Sequence, residues 1–168
     1  MSDQPEPKFL VNADSDPVAI RVEGKASFKN CTCVREFLNG MIAREKTRFV
    51  MDFEACSGMD STFLGVLAGT AITLRKMEPR GTLVISRLNE RNRELVQNLG
   101  LTRLLIVDDG AACKTSSGAA LQNEPQMGEI AAARMVLSAH ENLIEADGEN
   151  EAKFKDVISF LQQQVSQQ

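Results

Sequence analysis

The chain has no tryptophan, no tyrosine and a single histidine, His140. With eight phenylalanines as its only aromatic residues, it offers no set of rings on which bases or sugars would stack. Its net charge of −4 argues against nucleic acid as a main partner. No apolar run approaches the roughly 20 residues that a bilayer-spanning helix needs, and no basic segment followed by an apolar one opens the chain. A cytoplasmic protein with no membrane insertion is expected. Cys31, Cys33, Cys56 and Cys113 include one Cys-x-Cys pair, but the other two lie far apart and one histidine cannot complete the usual zinc patterns. Reduced thiols, no metal and no cofactor are expected.

What is present is ordinary globular material. The chain has 168 residues, 43% of them apolar and 25% charged, enough for one domain with some length left over. Acidity is concentrated late: residues 109–168 carry four Lys or Arg against nine Asp or Glu.

Taken in order, residues 1–8 read as a loose tail. Phe9-Leu10-Val11 is a short strand, turned by Asn12 to Pro17 into a second at Val18–Glu23, where apolar and polar residues alternate until Gly24. From about Asn30 the spacing becomes helical, with Val34, Phe37, Leu38, Met41 and Ile42 on one face. A buried strand is expected over 48–53. A helix follows from about 61 to 77, carrying Leu64, Leu67, Ala68, Ala71 and Leu74 on one side. Gly58 can supply a sharp turn between them, and Asp60 or Ser61 is a good N-cap. Thr82 to Ile85 is a third buried run, Asn89 caps a helix that ends at Gly100, and Leu104 to Val107 is the last strand. Apolar strands alternating with helices through short links predict right-handed crossovers and a parallel sheet, preceded by an antiparallel hairpin. The expected fold is an α/β domain over residues 9–107, with a mixed sheet of four or five strands and helices packed on it.

Residues 108–127 read as a loop. Two helical runs follow within 128–168, about 128–146 and 150–166, split by Asp147-Gly148, and together they predict an αα-hairpin. Its apolar stripes must bury themselves on the sheet domain, on each other or on a partner, a second copy included.

At the strand-to-helix junction the residues carry a resemblance. A strand ending Val50-Met51-Asp52-Phe53, a turn, and Met59-Asp60-Ser61-Thr62-Phe63-Leu64-Gly65 opening an apolar helix resemble the signature of the STAS domain, the anti-sigma factor antagonist family. The order of elements agrees over about residues 9–107; the second C-terminal helix is extra. The resemblance implies partner switching. Ser61 would be the residue phosphorylated by a serine kinase of the anti-sigma factor type, and a PP2C-type phosphatase would reset it. Asp60, Ser61, Thr62 and Phe63 would form the partner-binding lip. The family commonly has Gly where this chain has Phe63, which would serve as an apolar anchor if it faces outward and as core packing if inward.

Each position also has a plain structural reading. Ser61 and Asp60 would serve as helix caps, Asp52 as a solvated strand end, and His140 as a packed or edge histidine. A serine at such a junction invites comparison with the nucleophile elbow of hydrolases, but that turn needs G-x-S-x-G, which Met59-Asp60-Ser61-Thr62-Phe63 lacks. Its base would have to be His140, in a segment that reads as separately folded. No enzymatic activity is expected. The competing assignment is an unphosphorylated structural or regulatory subunit of a transporter or other assembly.

Overall fold

A computed structural model of the chain describes residues 6–108, 118–122 and 127–166. Most of the expected tail at 1–8, most of the loop at 108–127, and Cys113 lie outside them. Among the described residues one sheet contains seven strands: β1 (Lys8–Asn12), β2 (Val18–Ala26), β3 (Arg48–Asp52), β4 (Cys56–Met59), β5 (Thr82–Ser86), β6 (Ile106–Asp108) and β7 (Ala119–Ala120). The main order is β6-β5-β3-β2-β1-β7, and β4 pairs with the far end of β2. β1 and β2 form the expected antiparallel hairpin, while β2, β3, β5 and β6 run parallel.

The central strands are apolar along their length because both faces are covered. Ile20, Phe49, Met51 and Ile85 are fully buried. The helices are α1 (Cys31–Ala43), α2 (Ser61–Arg75), α3 (Glu90–Asn98), α4 (Glu129–Ala146) and α5 (Asn150–Ser166). Asn89 caps α3 by accepting from the Asn92 amide, and Gly100 ends that segment at φ 69°, a conformation glycine adopts without penalty.

Three expectations needed correction. Cys56–Met59 is a strand rather than a turn, so Gly58 lies inside β4, where parallel pairing with β2 supplies the hydrogen bonds that Ser and Gly propensities do not favour. Gly24 does not end β2: at φ 80° it marks a shift of register, and the strand continues to Ala26. Leu104 and Leu105 precede β6 instead of forming it, because the chain first makes a 3-10 turn at Leu101–Arg103. The strand count of seven exceeds the expected four or five through β4 and β7, both too short to show a period.

The C-terminal hairpin docks on the domain. α4 lies along α2, and α5 packs on α4. The close approach is made possible by Gly65 and Gly69: a Cβ on Gly65 would collide with the Ala139 backbone carbonyl, and one on Gly69 with the Asn142 side chain. Asn142 Nδ2 donates to the Gly65 carbonyl at 3.2 Å, and Asn150, fully buried, donates to Leu99 and Leu143 carbonyls at 2.9 and 2.8 Å. Buried polar groups placed this way fix where the hairpin sits.

Candidate functional site

The site is built where β2, β4 and the start of α2 meet. Asp60 is the N-cap of α2: its backbone is extended, and its Oδ1 accepts from the Phe63 amide at 2.9 Å. Its other oxygen, Oδ2, accepts from the Phe28 amide at 2.9 Å, while its own N–H donates to the Ala26 carbonyl at 3.1 Å. One carboxylate therefore joins the first turn of α2 to the β2–α1 loop. That loop is held further by Asn30, which accepts from the Ser27 amide and donates to the Lys25 carbonyl.

Ser61 follows as the first residue of α2 and is half-buried. Its hydroxyl lies 2.9 Å from Nε2 of His140 on α4. Nδ1 of the same ring lies 2.8 Å from the Val136 carbonyl oxygen, which can only accept. The proton of a neutral ring thus sits on Nδ1, and Nε2 accepts from Ser61. His140 is 3% exposed and meets Phe154 of α5 edge-on, with ring centroids 4.9 Å apart. The sequence reading gave His140 a packed role and kept it apart from Ser61; the fold brings the two together. No spacing rule links them, and the only signal was the pair of small residues, Gly65 and Gly69, set in an apolar helix.

Thr62 and Phe63 are placed differently from the expected lip. Thr62 is 4% exposed, and Phe63 is fully buried between Phe9, stacked at 6.1 Å, and Phe53, edge-on at 6.3 Å. As partner-binding side chains both are corrected: they are core packing. The exposed aromatic ring at this lip is Phe28, 53% accessible on the loop that Asp60 ties down. Nothing in the sequence marks it, since it follows a strand without helical or alternating neighbours.

Asp52 is likewise not a solvated strand end. It is fully buried, and Arg87 grips both of its oxygens, with Nε to Oδ1 at 3.0 Å and a second bond from Nη2 to Oδ2. Arg87 also pairs with Glu54. At φ 59° Arg87 occupies the left-handed region, so the backbone bends to deliver the guanidinium.

Burial disfavours the thiolate at two of the described cysteines. Cys31, Cys33 and Cys56 are buried. Burial first, and then the Asp60 carboxylate, push the Cys31 thiol up to about 12, and burial raises that of Cys56. Among the described residues no cluster of three or more His, Cys, Asp or Glu could hold a metal ion, and no helix is long and apolar enough to cross a membrane.

A family model described as the Mlab STAS domain matches residues 9–107. No curated protein matches by sequence. Among solved structures the fold is similar to the anti-sigma factor antagonist SpoIIAA in its unphosphorylated form, at 20% identity and TM-score 0.51, over 60% of this chain and 87% of that one. It is also similar to the phosphorylated form of the Bacillus cell fate determinant SpoIIAA, at 22% identity and TM-score 0.50, over 60% of this chain and 90% of that one. Both matches leave a large part of this chain uncovered, and the family match ends at residue 107, before the helical hairpin.

Proposed function

Since the chain belongs to the STAS domain family, we propose that it is a cytoplasmic, non-catalytic regulatory protein of the anti-sigma factor antagonist type, acting by partner switching. Unphosphorylated, it binds a serine kinase of the anti-sigma factor type at the lip formed by Asp60, Ser61 and the β2–α1 loop. Phosphorylated on Ser61, it lets go, and a PP2C-type phosphatase resets it. The observation that carries this reading is the position of Ser61: a half-buried hydroxyl on the first residue of a 15-residue helix, beside a loop that Asp60 holds still.

The physics of the switch is local. A phosphate adds about −1.5 to −2 charges, and the free N–H groups and dipole of a helix N-terminus favour an anion there. The same charge opposes an acidic partner surface and meets Asp60 at once, so binding is lost without refolding. Phe28 supplies the apolar contact that the sequence reading gave to Phe63.

Non-catalysis rests on the surroundings of the Ser61–His140 pair. The second ring nitrogen is spent on a backbone carbonyl instead of a carboxylate, and α5 closes over the imidazole through Phe154.

The same pair favours a second reading. A hydroxyl already engaged by a buried histidine suits a STAS subunit that docks permanently in a transporter or other assembly and is never modified. Intact-mass and peptide analysis of the protein isolated from its own cells across growth states separates the two. Phosphate on the Ser61 peptide in any state supports switching; its complete absence in all of them leaves the constitutive subunit.

A further inference from the structure

Away from Ser61, a cleft of about 220 Å³ lies between α1, α2 and α4. Its polar lining comes from Arg35 and Asn39 on α1, Thr70 and Thr73 on α2, and Ser138 and Asn142 on α4. Arg35 is the one charged residue in that lining. Its Nε is buried and finds no hydrogen-bond acceptor among the described residues. A guanidinium N–H shut away from water without an acceptor is costly, and this group cannot shed its charge.

The rest of the lining sorts by what it can give. The Thr70 and Thr73 hydroxyls donate to the Val66 and Gly69 carbonyls of their own helix, each at 3.0 Å, and Asn142 gives one amide hydrogen to Gly65. Donors left over in the lining are therefore Arg35, the Asn39 amide, the Ser138 hydroxyl and the second amide hydrogen of Asn142. No lining carboxylate answers the guanidinium, and the Cys31 thiol one turn before it stays neutral. The volume falls below the ~300–1,000 Å³ of pockets for drug-sized ligands, which limits the occupant to a small ion or the tip of a larger group.

We infer that this cleft is a binding site for a small oxyanion, a phosphate or a carboxylate, held by the fork of Arg35 between Asn39 and Ser138. Planar guanidinium groups pair with either anion through two parallel N–H bonds. An anion here would bridge α1 to α4, the helix that carries His140, and so brace the hairpin against the domain. The site shares no residue with the Ser61 lip and stands whatever becomes of the switch.

The test is a pair of titrations of the full chain, with inorganic phosphate and with acetate, at ionic strength held constant by chloride and followed by amide chemical shifts. The expected result is saturable shifts confined to amides around 35–39, 69–73 and 138–142. Arg35→Gln should weaken the apparent affinity at least tenfold, and Arg35→Lys should recover part of it. Should Arg35→Gln fail to fold, Ser138→Phe, at an exposed position on the cleft wall, must abolish saturation by filling the space. Tighter binding of phosphate assigns the site to phosphate groups, and tighter binding of acetate to carboxylates. Shifts that grow linearly without saturating, or that persist unchanged in Arg35→Gln or Ser138→Phe, overturn the proposal.

Discussion

The hydroxyl of Ser61 donates to Nε2 of His140 at 2.9 Å, joining the first turn of α2 to a helix 79 positions later. One hydrogen bond thus couples the candidate switch residue to the part of the chain that the family match does not cover. Any event at Ser61 that needs its hydroxyl free must first break this bond.

That coupling is measurable as energy. Ser61→Ala leaves a buried imidazole nitrogen without a partner and should cost about 1–3 kcal/mol. His140→Ala also removes the edge contact to Phe154 and should cost more, about 2–4 kcal/mol. In a double-mutant cycle by denaturant unfolding, the two substitutions should show a coupling of about 0.5–1.5 kcal/mol. Hydrogen exchange in His140→Ala should rise over residues 129–166 and stay unchanged in β3 and β5. Additive effects, or exchange raised throughout the sheet, would show that the hairpin is not latched at this point.

Gly65 and Gly40 are both helical glycines, and they should respond to alanine in opposite directions. A Cβ at 65 meets the Ala139 carbonyl, which is backbone and cannot swing away, so Gly65→Ala should lower stability by about 1–3 kcal/mol as α4 is pushed off. A Cβ at 40 meets nothing within 4 Å, so Gly40→Ala in α1 should raise stability by about 0.5–1 kcal/mol through better helix propensity. Thermal melts of the two variants check the signs. Equal effects would mean that α4 does not sit on Gly65.

The contrast between these glycines marks where sequence reasoning ends. Strands β3 and β5 were legible as short continuous apolar runs and helices α1 to α5 through apolar residues recurring at helical spacing, and caps such as Asn89 and Asp60 act within three positions. β4 has four residues and β7 two, so neither carries a period, and each exists through its pairing with a neighbour. The candidate switch residue was likewise marked locally, by Asp60-Ser61-Thr62. What surrounds it was not: Phe63 could face either way until its contacts with Phe9 and Phe53 decided it, and His140 reaches Ser61 only after two helices have packed.

Asp52 and Arg87 make a third test, of the strand end beneath the site. The carboxylate is fully buried, whereas the arginine side chain is 34% exposed and also pairs with Glu54. Arg87→Ala takes the guanidinium from a buried carboxylate that keeps the Glu54 amide at 3.0 Å; the effect is roughly 3–5 kcal/mol in fully enclosed pairs, and that bond and partial solvent access should bring it to about 2–4 kcal/mol. Arg87→Lys should recover only part, since an ammonium cannot hold both oxygens at once. Glu54→Ala, on the exposed side, should cost under about 1 kcal/mol. Urea midpoints for the three variants read these differences, and a mild Arg87→Ala would mean that water replaces the guanidinium.

The last test uses pH. Burial, and then the Asp60 carboxylate, raise the Cys31 thiol from its ordinary 9.0 to about 12 in the folded chain. In the unfolded chain it ionises near the ordinary value, so between these limits the unfolded state releases a proton that the folded state keeps. A group raised in this way contributes stability that is fully present below pH 9.0 and is lost as pH climbs toward about 12. The loss should approach about 1.4 kcal/mol per pH unit for this one site. No tyrosine titrates in the same window, which keeps the signal clean. Cys31→Ala should flatten the decline between pH 8 and 10.5 relative to the unaltered protein, leaving the slope from Cys56, whose thiol burial also raises. Alkylation of the folded chain at pH 8 should be slow at Cys31 for the same reason, because little thiolate forms and the sulfur is covered. Parallel stability curves for the two proteins would show that the thiol is not held neutral beneath Asp60.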